Sequence, residues 1–473
     1  MDVETPAGRI FKRLATQLHD RRVGRQGSKV WHQRNTKPLR IRPGVQRLDD
    51  YLRGEPPLDR VANEWKAHVR EFIRKGSLNA ADLLISSTAN RMNLRDFRTA
   101  AADDEMGDQR ARELMRLNGM SVKIREVHEC FLAHADAYAI VTPPSSARPY
   151  PLMTAEDALQ TITHDDPATG ESLAGLKMFR DEWDTEDVAY LHLPGKVLVA
   201  RKPGRTSITD GGMWSMSERW YWDEEMSQDV PDGRLAIVHF RNRFGRGEYE
   251  GHLPTLDRIN DKVASEWWLI KIQAHRQRAI KGLPETDEQG NEVDYTDVFV
   301  SAPDALWQVP ADAEFWESSP ADISQVTNAV KHDLERLAAT TSTMLHTITP
   351  DAASGSAEGA ALLREEHTFK VEDRRDRVAS PWAGVMELMF AFSDEPEDKK
   401  RADRSQIEPI WGPLQRFSLT EKADASAKAT GTLPTESIWT DIWQYPPAEV
   451  QNLRTLRGRD LLFQQPTPPP PAS

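Results

Sequence analysis

Apolar residues fall at helical spacing in two long stretches, residues 256–275 and 323–344. In the first, Leu256, Ile259, Val263, Trp267 and Ile270 advance by 3, 4, 4 and 3 positions; Ile323, Val326, Val330, Leu334 and Leu337 advance the same way in the second. That period places each set on one face of an α-helix. Twenty or so residues at about 1.5 Å each give a rod of roughly 30 Å. Between the rods, residues 282–322 hold eleven acidic side chains and no Lys or Arg. The pattern predicts two packed helices joined by an acidic excursion, with Lys271, Arg276, Arg278 and Lys281 where the first rod meets it.

Elsewhere, Val61, Trp65, Val69, Phe72 and Ile73 predict a helix stopped near Gly76. Residues 111–117 read as a short helix ended by Asn118-Gly119, residues 122–135 as a helix, and residues 138–141 as a strand closed by Pro143-Pro144. The chain then changes character. Apolar runs at 173–179, 189–193, 196–200 and 235–240 alternate with turns such as Asp166-Pro167 and Asp232-Gly233, which predicts a small β region. Trp214, Trp220 and Trp222 crowd its middle and are read as packing against a sheet rather than as a stacking platform for a ligand.

After residue 344, Pro350, Gly355 and Gly359 interrupt regular helix. A long helix over 360–392 follows, kinked at Pro381. Its charged half, 364–377, reads as a solvated or subunit-facing surface. Further helical pieces are expected at 421–430, 438–444 and 449–457, and the tail QQPTPPPPAS reads as extended or disordered. Short strands are expected within the acidic excursion at 298–300 and 306–309.

The composition, 38% hydrophobic and 29% charged, suits a chain with both a core and a charged surface. No apolar run approaches the roughly 18 residues of a membrane span, and the first residues, MDVETPAGRIFKR, carry no apolar signal segment, so the chain is expected to stay in the compartment that makes it. Its single cysteine, Cys130, cannot form an internal disulfide and reads as a buried, inert thiol. The net charge of −13 argues against a protein that wraps nucleic acid tightly through phosphate contacts. Residues 1–50 go the other way, with twelve Lys/Arg against five Asp/Glu, and residues 1–44 read as a basic arm. Such an arm either touches nucleic acid or an acidic neighbour, or is simply solvated.

The motifs of catalysis are missing. The chain has no phosphate-binding Gly-Lys-Ser/Thr loop, no His-Glu-x-x-His, no nucleophile elbow and no zinc-type cysteine spacing. His164, Asp165 and Asp166 are the best candidate for a metal site, but Asp166-Pro167-Ala168 reads as a turn and no second cluster accompanies it. Glu365 and Glu366 are adjacent on a helix and so face different directions. No catalytic, cofactor-binding or metal-binding residue is expected, and the chain is not read as an enzyme.

Several segments, in order, resemble the portal proteins of tailed bacteriophages, in particular the group common in phages of actinobacteria. YLRGEPP at residues 51–57 is similar to that group's N-terminal signature. VHFRNRFGRGEYEGHLPTLDRINDKV is similar to its passage from a β-rich wing into the first stem helix, with Asn242-Arg243 and Gly251 at matching places. SGSAEGAALLREE resembles the lead into the long helix, departing from it by two extra small residues between Gly355 and Glu358, and KADASAKATGTLPTESIWTDI resembles the C-terminal pattern.

The resemblance implies an α+β portal architecture: wing, two-helix stem, clip insert, long kinked helix and helical crown, assembled as a ring of twelve subunits. It implies a wing at 45–250, stem helices at 251–275 and 321–344, a clip at 276–320, a tunnel loop at 345–359, the long helix at 360–394, a crown and wing-associated region at 395–462, and the tail at 463–473. The stem would pack through the ten apolar residues named above. Glu285, Asp287, Glu288, Glu292 and Asp294 would serve clip docking, and Ala352, Ala353, Ser354 and Gly355 would form the tunnel loop. The ring would conduct double-stranded DNA, without sequence specificity or cofactor, at one capsid vertex of the virion. Its other partners would be the terminase motor, the head-tail connector, and the major capsid and scaffold proteins, with no membrane. Another phage head or connector protein is the alternative, and a metal-dependent nucleic-acid enzyme a more distant one.

Overall fold

The structure is a computed structural model of the 473-residue chain. It describes residues 5–24, 43–56, 74–99, 107–204, 220–274, 278–283, 286, 314–317, 322–343, 357–415 and 417–463. The chain divides into two compact units, the first made of residues 1–59, 79–256 and 335–473, the second of 60–78 and 257–334.

The first unit opens with α1 (Pro6–Val23), capped by the Thr5 hydroxyl, which accepts from Gly8 N at 3.1 Å. Phe11, Leu14, Ala15 and Leu18 form a buried helical face. They pack on Leu176, Met178, Ala189, Leu191, Ala200 and Trp220 of a sheet. This corrects the reading of residues 1–44 as a basic arm: the first half is a docked amphipathic helix, and its arginines occupy the polar side. Residues 25–42 lie outside the described residues. Trp220 and Trp222 lie edge-on to Phe11, 5.4 and 5.9 Å away between ring centres. Trp214 is outside the described residues.

Next come α2 (Val45–Leu52), α3 (Ala80–Ala89), β1 (Leu94–Arg98), α4 (Gln109–Leu117) and α5 (Met120–His134). The Asp108 carboxylate caps α4 by accepting from Arg110 N and Ala111 N. Gly119, at φ 59°, turns the chain into α5. Strands β2 (Asp136–Thr142), β3 (Leu152–Asp157), β4 (Thr161–Asp165), β5 (Ser172–Asp181), β6 (Glu186–Leu193), β7 (Lys196–Pro203), β8 (Tyr221–Asp229) and β9 (Ile237–Arg241) make two antiparallel sheets. One is ordered β3-β2-β9 and the other is the meander β4-β5-β6-β7-β8. Of these, β3, β4 and β8 have no counterpart in the sequence reading. β2 is buried along almost its whole length, as befits the middle strand of a covered sheet.

Helices α6 (Leu253–Ala274) and α7 (Ser324–Thr340) flank strands β10 (Arg278–Lys281) and β11 (Glu314–Glu317). The division between the units falls inside both helices, after Leu256 and after Leu334. The first unit continues with α8 (Ala357–Phe392), which runs through Pro381 and buries Trp382, Val385, Met386, Met389 and Phe390. Residues 364–377, expected as a solvated or subunit-facing surface, include the buried His367, Arg374 and Arg375, whose partners are remote in sequence: the Ser342 carbonyl, the Glu248 carboxylate and the Arg91 carbonyl. Arg375 donates to the Arg91 carbonyl and lies 5.4 Å over the Trp411 ring. The unit closes with α9 (Pro396–Lys400), β12 (Glu408–Trp411) paired with β1, α10 (Leu419–Ala429) and α11 (Pro447–Phe463). Ser418 and Glu421 form a reciprocal capping box on α10.

In the second unit, β10 and β11 pair antiparallel, Arg278 opposite Glu317 and Lys281 opposite Glu314. Arg278 and Lys281, expected where the first rod meets the acidic excursion, sit on β10. The strands expected at 298–300 and 306–309, and the helix expected over residues 61–73, lie outside the described residues.

Candidate functional site

In the second unit, α6 and α7 run antiparallel and are laced by side chains. Arg258 donates to Asp333 through Nε at 2.9 Å and through its terminal nitrogen at 3.1 Å, while Lys262 donates to the same carboxylate at 2.7 Å and to the Ala329 carbonyl at 3.3 Å. Farther along, the Thr327 hydroxyl donates to Glu266 at 2.6 Å. As the facing number rises on one strand of chain it falls on the other: 258 meets 333, 262 meets 329, 266 meets 327, and in the ladder 278 meets 317 and 281 meets 314. The chain goes out and comes back along itself. The hydrogen bond from Arg258 is the main cause holding the Asp333 carboxyl down at about 2, against the burial that would raise it.

The ten apolar residues expected to pack the two helices are not equivalent. Leu256, Ile259, Val330, Leu334 and Leu337 are buried, and Val263, Ile323 and Val326 are half-buried. Trp267 and Ile270 are 44% and 47% exposed, and Trp268 beside them 53%. Two helices bury each other along one line only, and toward residue 270 the apolar stripe is half exposed. Trp267 also stands over Gly76, where an added Cβ would come within 3.3 Å of its ring. Asp at position 330 would put a charge in the buried part, next to Asp333 one turn on. Val330→Asp is expected to cost on the order of 3 kcal/mol, read as faster hydrogen exchange along α6 and α7; wild-type exchange would remove Val330 from the packing.

In the first unit a second site holds the chain on either side of this excursion. Glu248, just before α6, accepts from Asn242 Nδ2 at 3.1 Å and from Arg374 Nε at 2.6 Å, and lies 3.2 Å from Lys370 Nζ. Burial pushes its pKa up, but the Lys370 charge and the Arg374 and Asn242 hydrogen bonds prevail and hold it at about 2. Tyr249, fully buried, donates its hydroxyl to the Leu48 carbonyl at 2.7 Å. Within the NRFGRGEY stretch Asn242, Gly245, Gly247 and Tyr249 are buried, while Arg243, Phe244 and Arg246 are exposed. Spacing along one sequence could not pair Arg258 and Lys262 with Asp333, or Glu248 with Arg374, which stands in the charged run EDRRDR.

His164, Asp165 and Asp166 do not converge. Asp165 accepts from Ser172 at 2.7 Å and meets His239 Nδ1 at 2.7 Å, while Asp166 accepts from Ala168 N at 2.8 Å in a turn. His239 Nε2 meets Asp136 at 2.9 Å, and Asp136 pairs with Arg21, which pins α1. Among the described residues no group of three His, Cys, Asp or Glu side chains is placed to hold a metal ion. Burial, helped by Asp157, pushes the Cys130 thiol up to about 12. The clip residues Glu285, Asp287, Glu288, Glu292 and Asp294 and the tunnel-loop residues Ala352, Ala353, Ser354 and Gly355 lie outside the described residues. No described helix is long and apolar enough to cross a membrane.

No protein-family model matches the chain, and no curated protein does. Among solved structures, the fold has a likeness to the neck of a native GTA particle computed with C12 symmetry, at TM-score 0.42 and 10% identity over 82% of this chain and 93% of that one. It has a similar likeness to the neck of an empty GTA particle computed with C6 symmetry, at TM-score 0.42 and 13% identity over 80% of this chain and 94% of that one.

Proposed function

We propose that the chain is a structural subunit of a portal ring, the channel through which double-stranded DNA enters and leaves a capsid at one vertex. The observation that carries this reading is the out-and-back excursion of the second unit, two laced antiparallel helices continued by an antiparallel ladder, with an apolar stripe half exposed at Ile270. A ring member meets its neighbours through two different surfaces, and such a stripe is the surface that closure would cover. The ordered sequence resemblances support the same reading. In it α6 and α7 are the stem, residues 276–320 the clip that docks the terminase motor and then the head-tail connector, and residues 345–359 the tunnel loop. The β sheets belong to the wing and the region after residue 395 to the crown. The net charge of −13 per subunit keeps DNA from sticking to much of the surface, which suits a conduit better than a binder.

Electron microscopy of the purified protein tests this directly, with closed rings around a central hole as the expected result and monomers at high concentration as the result against it. Ile270→Asp sharpens the test. Position 270 is open in the single subunit, so the change is expected to alter folding stability by less than about 0.5 kcal/mol while lowering the yield of closed rings. Undiminished ring yield would remove this flank from the interface.

A further inference from the structure

The segment leading into α6 and the segment leaving α7 lie far apart in sequence, and both are fixed against the same turns of α8. On the leading side are Asn242, Glu248 and Arg374, as described. On the trailing side the Ser342 hydroxyl donates to Glu366 at 2.7 Å, His367 Nδ1 donates to the Ser342 carbonyl at 2.9 Å, and Thr343 N donates to the Ala338 carbonyl at 3.0 Å. Ser342 has φ 50°, a left-handed conformation that a non-glycine residue holds only when its surroundings enforce it. Lys370 belongs to both sides. Its ammonium donates to the Thr341 carbonyl at 2.8 Å and lies 3.2 Å from Glu248 Oε2, and its side chain is 8% exposed. An ammonium has three protons and no room to choose other acceptors when it is enclosed in this way.

We propose that Lys370 is a positioning residue that couples the two segments, so that a shift of residues 242–250 is felt at 341–343 and the reverse. Loss of the Glu248 carboxylate frees the ammonium, which then holds the Thr341 carbonyl less firmly. Loss of the trailing contacts in turn leaves the ammonium less firmly placed, so that it holds Glu248 less firmly. The coupling stands on the geometry of the first unit alone; its use rests on the portal reading, in which 341–343 is the root of the tunnel loop and 242–250 the root of the stem. There it gives one helix control of both roots.

Hydrogen exchange on the full chain tests the proposal. Glu248→Gln touches no atom of 341–343, yet it is expected to speed exchange there about fivefold or more, the lower end of an ordinary coupling between sites, while amides of β2 keep their rates. Lys370→Met is expected to do the same, and the double variant no more than either alone. If Glu248→Gln instead loosens the whole unit, including β2, Ser342→Gly decides the matter, because coupling is reciprocal: faster exchange at Asn242 and Glu248 supports the proposal, and a change confined to 341–343 overturns it. An effect of Glu248→Gln confined to 242–250 overturns it as well. Absence of rings by microscopy would sink the portal reading and leave these exchange results standing.

Discussion

Replacing Gly247 by alanine is expected to destabilise the first unit by about 4 kcal/mol or more, from an overpacking strain of about 1–3 kcal/mol and the loss of buried polar contacts. A Cβ at this position would stand 2.1 Å from the Ala133 carbonyl oxygen and 3.1 Å from its carbon. Both obstructing atoms are backbone, so no side chain can rotate out of the way. The closeness has a cause. The loop lies across the C-terminal end of α5, whose last carbonyls lack helical donors, and Glu248 N supplies one to the Leu132 carbonyl at 2.8 Å while Asn242 N supplies another to Ala135 at 2.8 Å. Moving the loop away to admit a methyl group breaks these bonds and draws Glu248 from Arg374 and Lys370. Gly251→Ala is the control, since a Cβ there meets nothing within 4 Å, and it is expected to change stability by less than about 0.5 kcal/mol. Chemical unfolding of the two variants beside the parent gives the comparison. Equal midpoints for all three would mean that the loop does not lie against α5 in this way.

How legible each element was depends on whether its partner is near in sequence or is water. Helices α4 and α5 and strands β5, β6, β7 and β9 carry their own apolar period and fall within a few residues of the sequence expectation. The strand β8, YWDEEMSQD, is mostly exposed, so it needs few apolar residues and gave no signal. The helix α1 was hidden for another reason: its Phe11, Leu14 and Leu18 stripe is short and lies beside a run of arginines that dominated the reading. Charge count also misled in α8. Arg374 and Lys370 look like surface residues until Glu248, more than a hundred positions away, is placed against them. The stem stripe was legible as a period, but a period does not say how far a partner covers it, and so Leu256 and Ile270 looked alike. They differ in burial: Leu256 is 2% exposed and Ile270 47%.

Two histidines are expected to make stability fall steeply between pH 6.5 and 4. His128 is buried, accepts from Trp382 Nε1 at 2.9 Å and bonds to the Met92 backbone; burial, with Arg375 nearby, pushes its pKa down to about 3. His192 is 2% exposed with no hydrogen-bond partner on either ring nitrogen, and burial, with Lys177 nearby, pushes it down to about 4. The folded chain therefore refuses protons that the unfolded chain, with histidine near about 6.5, accepts. Stability is whole above that pH and is lost as the pH falls toward the folded values. Each unit of difference is worth about 1.4 kcal/mol, so His192 alone removes on the order of 3 kcal/mol by pH 4. Carboxylates add little to the upper part of this limb, because the loss from Glu248 and Asp165, both held at about 2, sets in only near the ordinary carboxylate pKa of about 4 and runs down from there. His192→Leu fills the same apolar site with a side chain that cannot take a proton. Melting temperatures measured from pH 7.5 to 4.5 are expected to show a shallower acid limb for this variant, with stability at pH 7.5 equal to the parent's or higher. A limb as steep as the parent's would show that His192 takes up its proton in the folded chain too, and that the site is open to water.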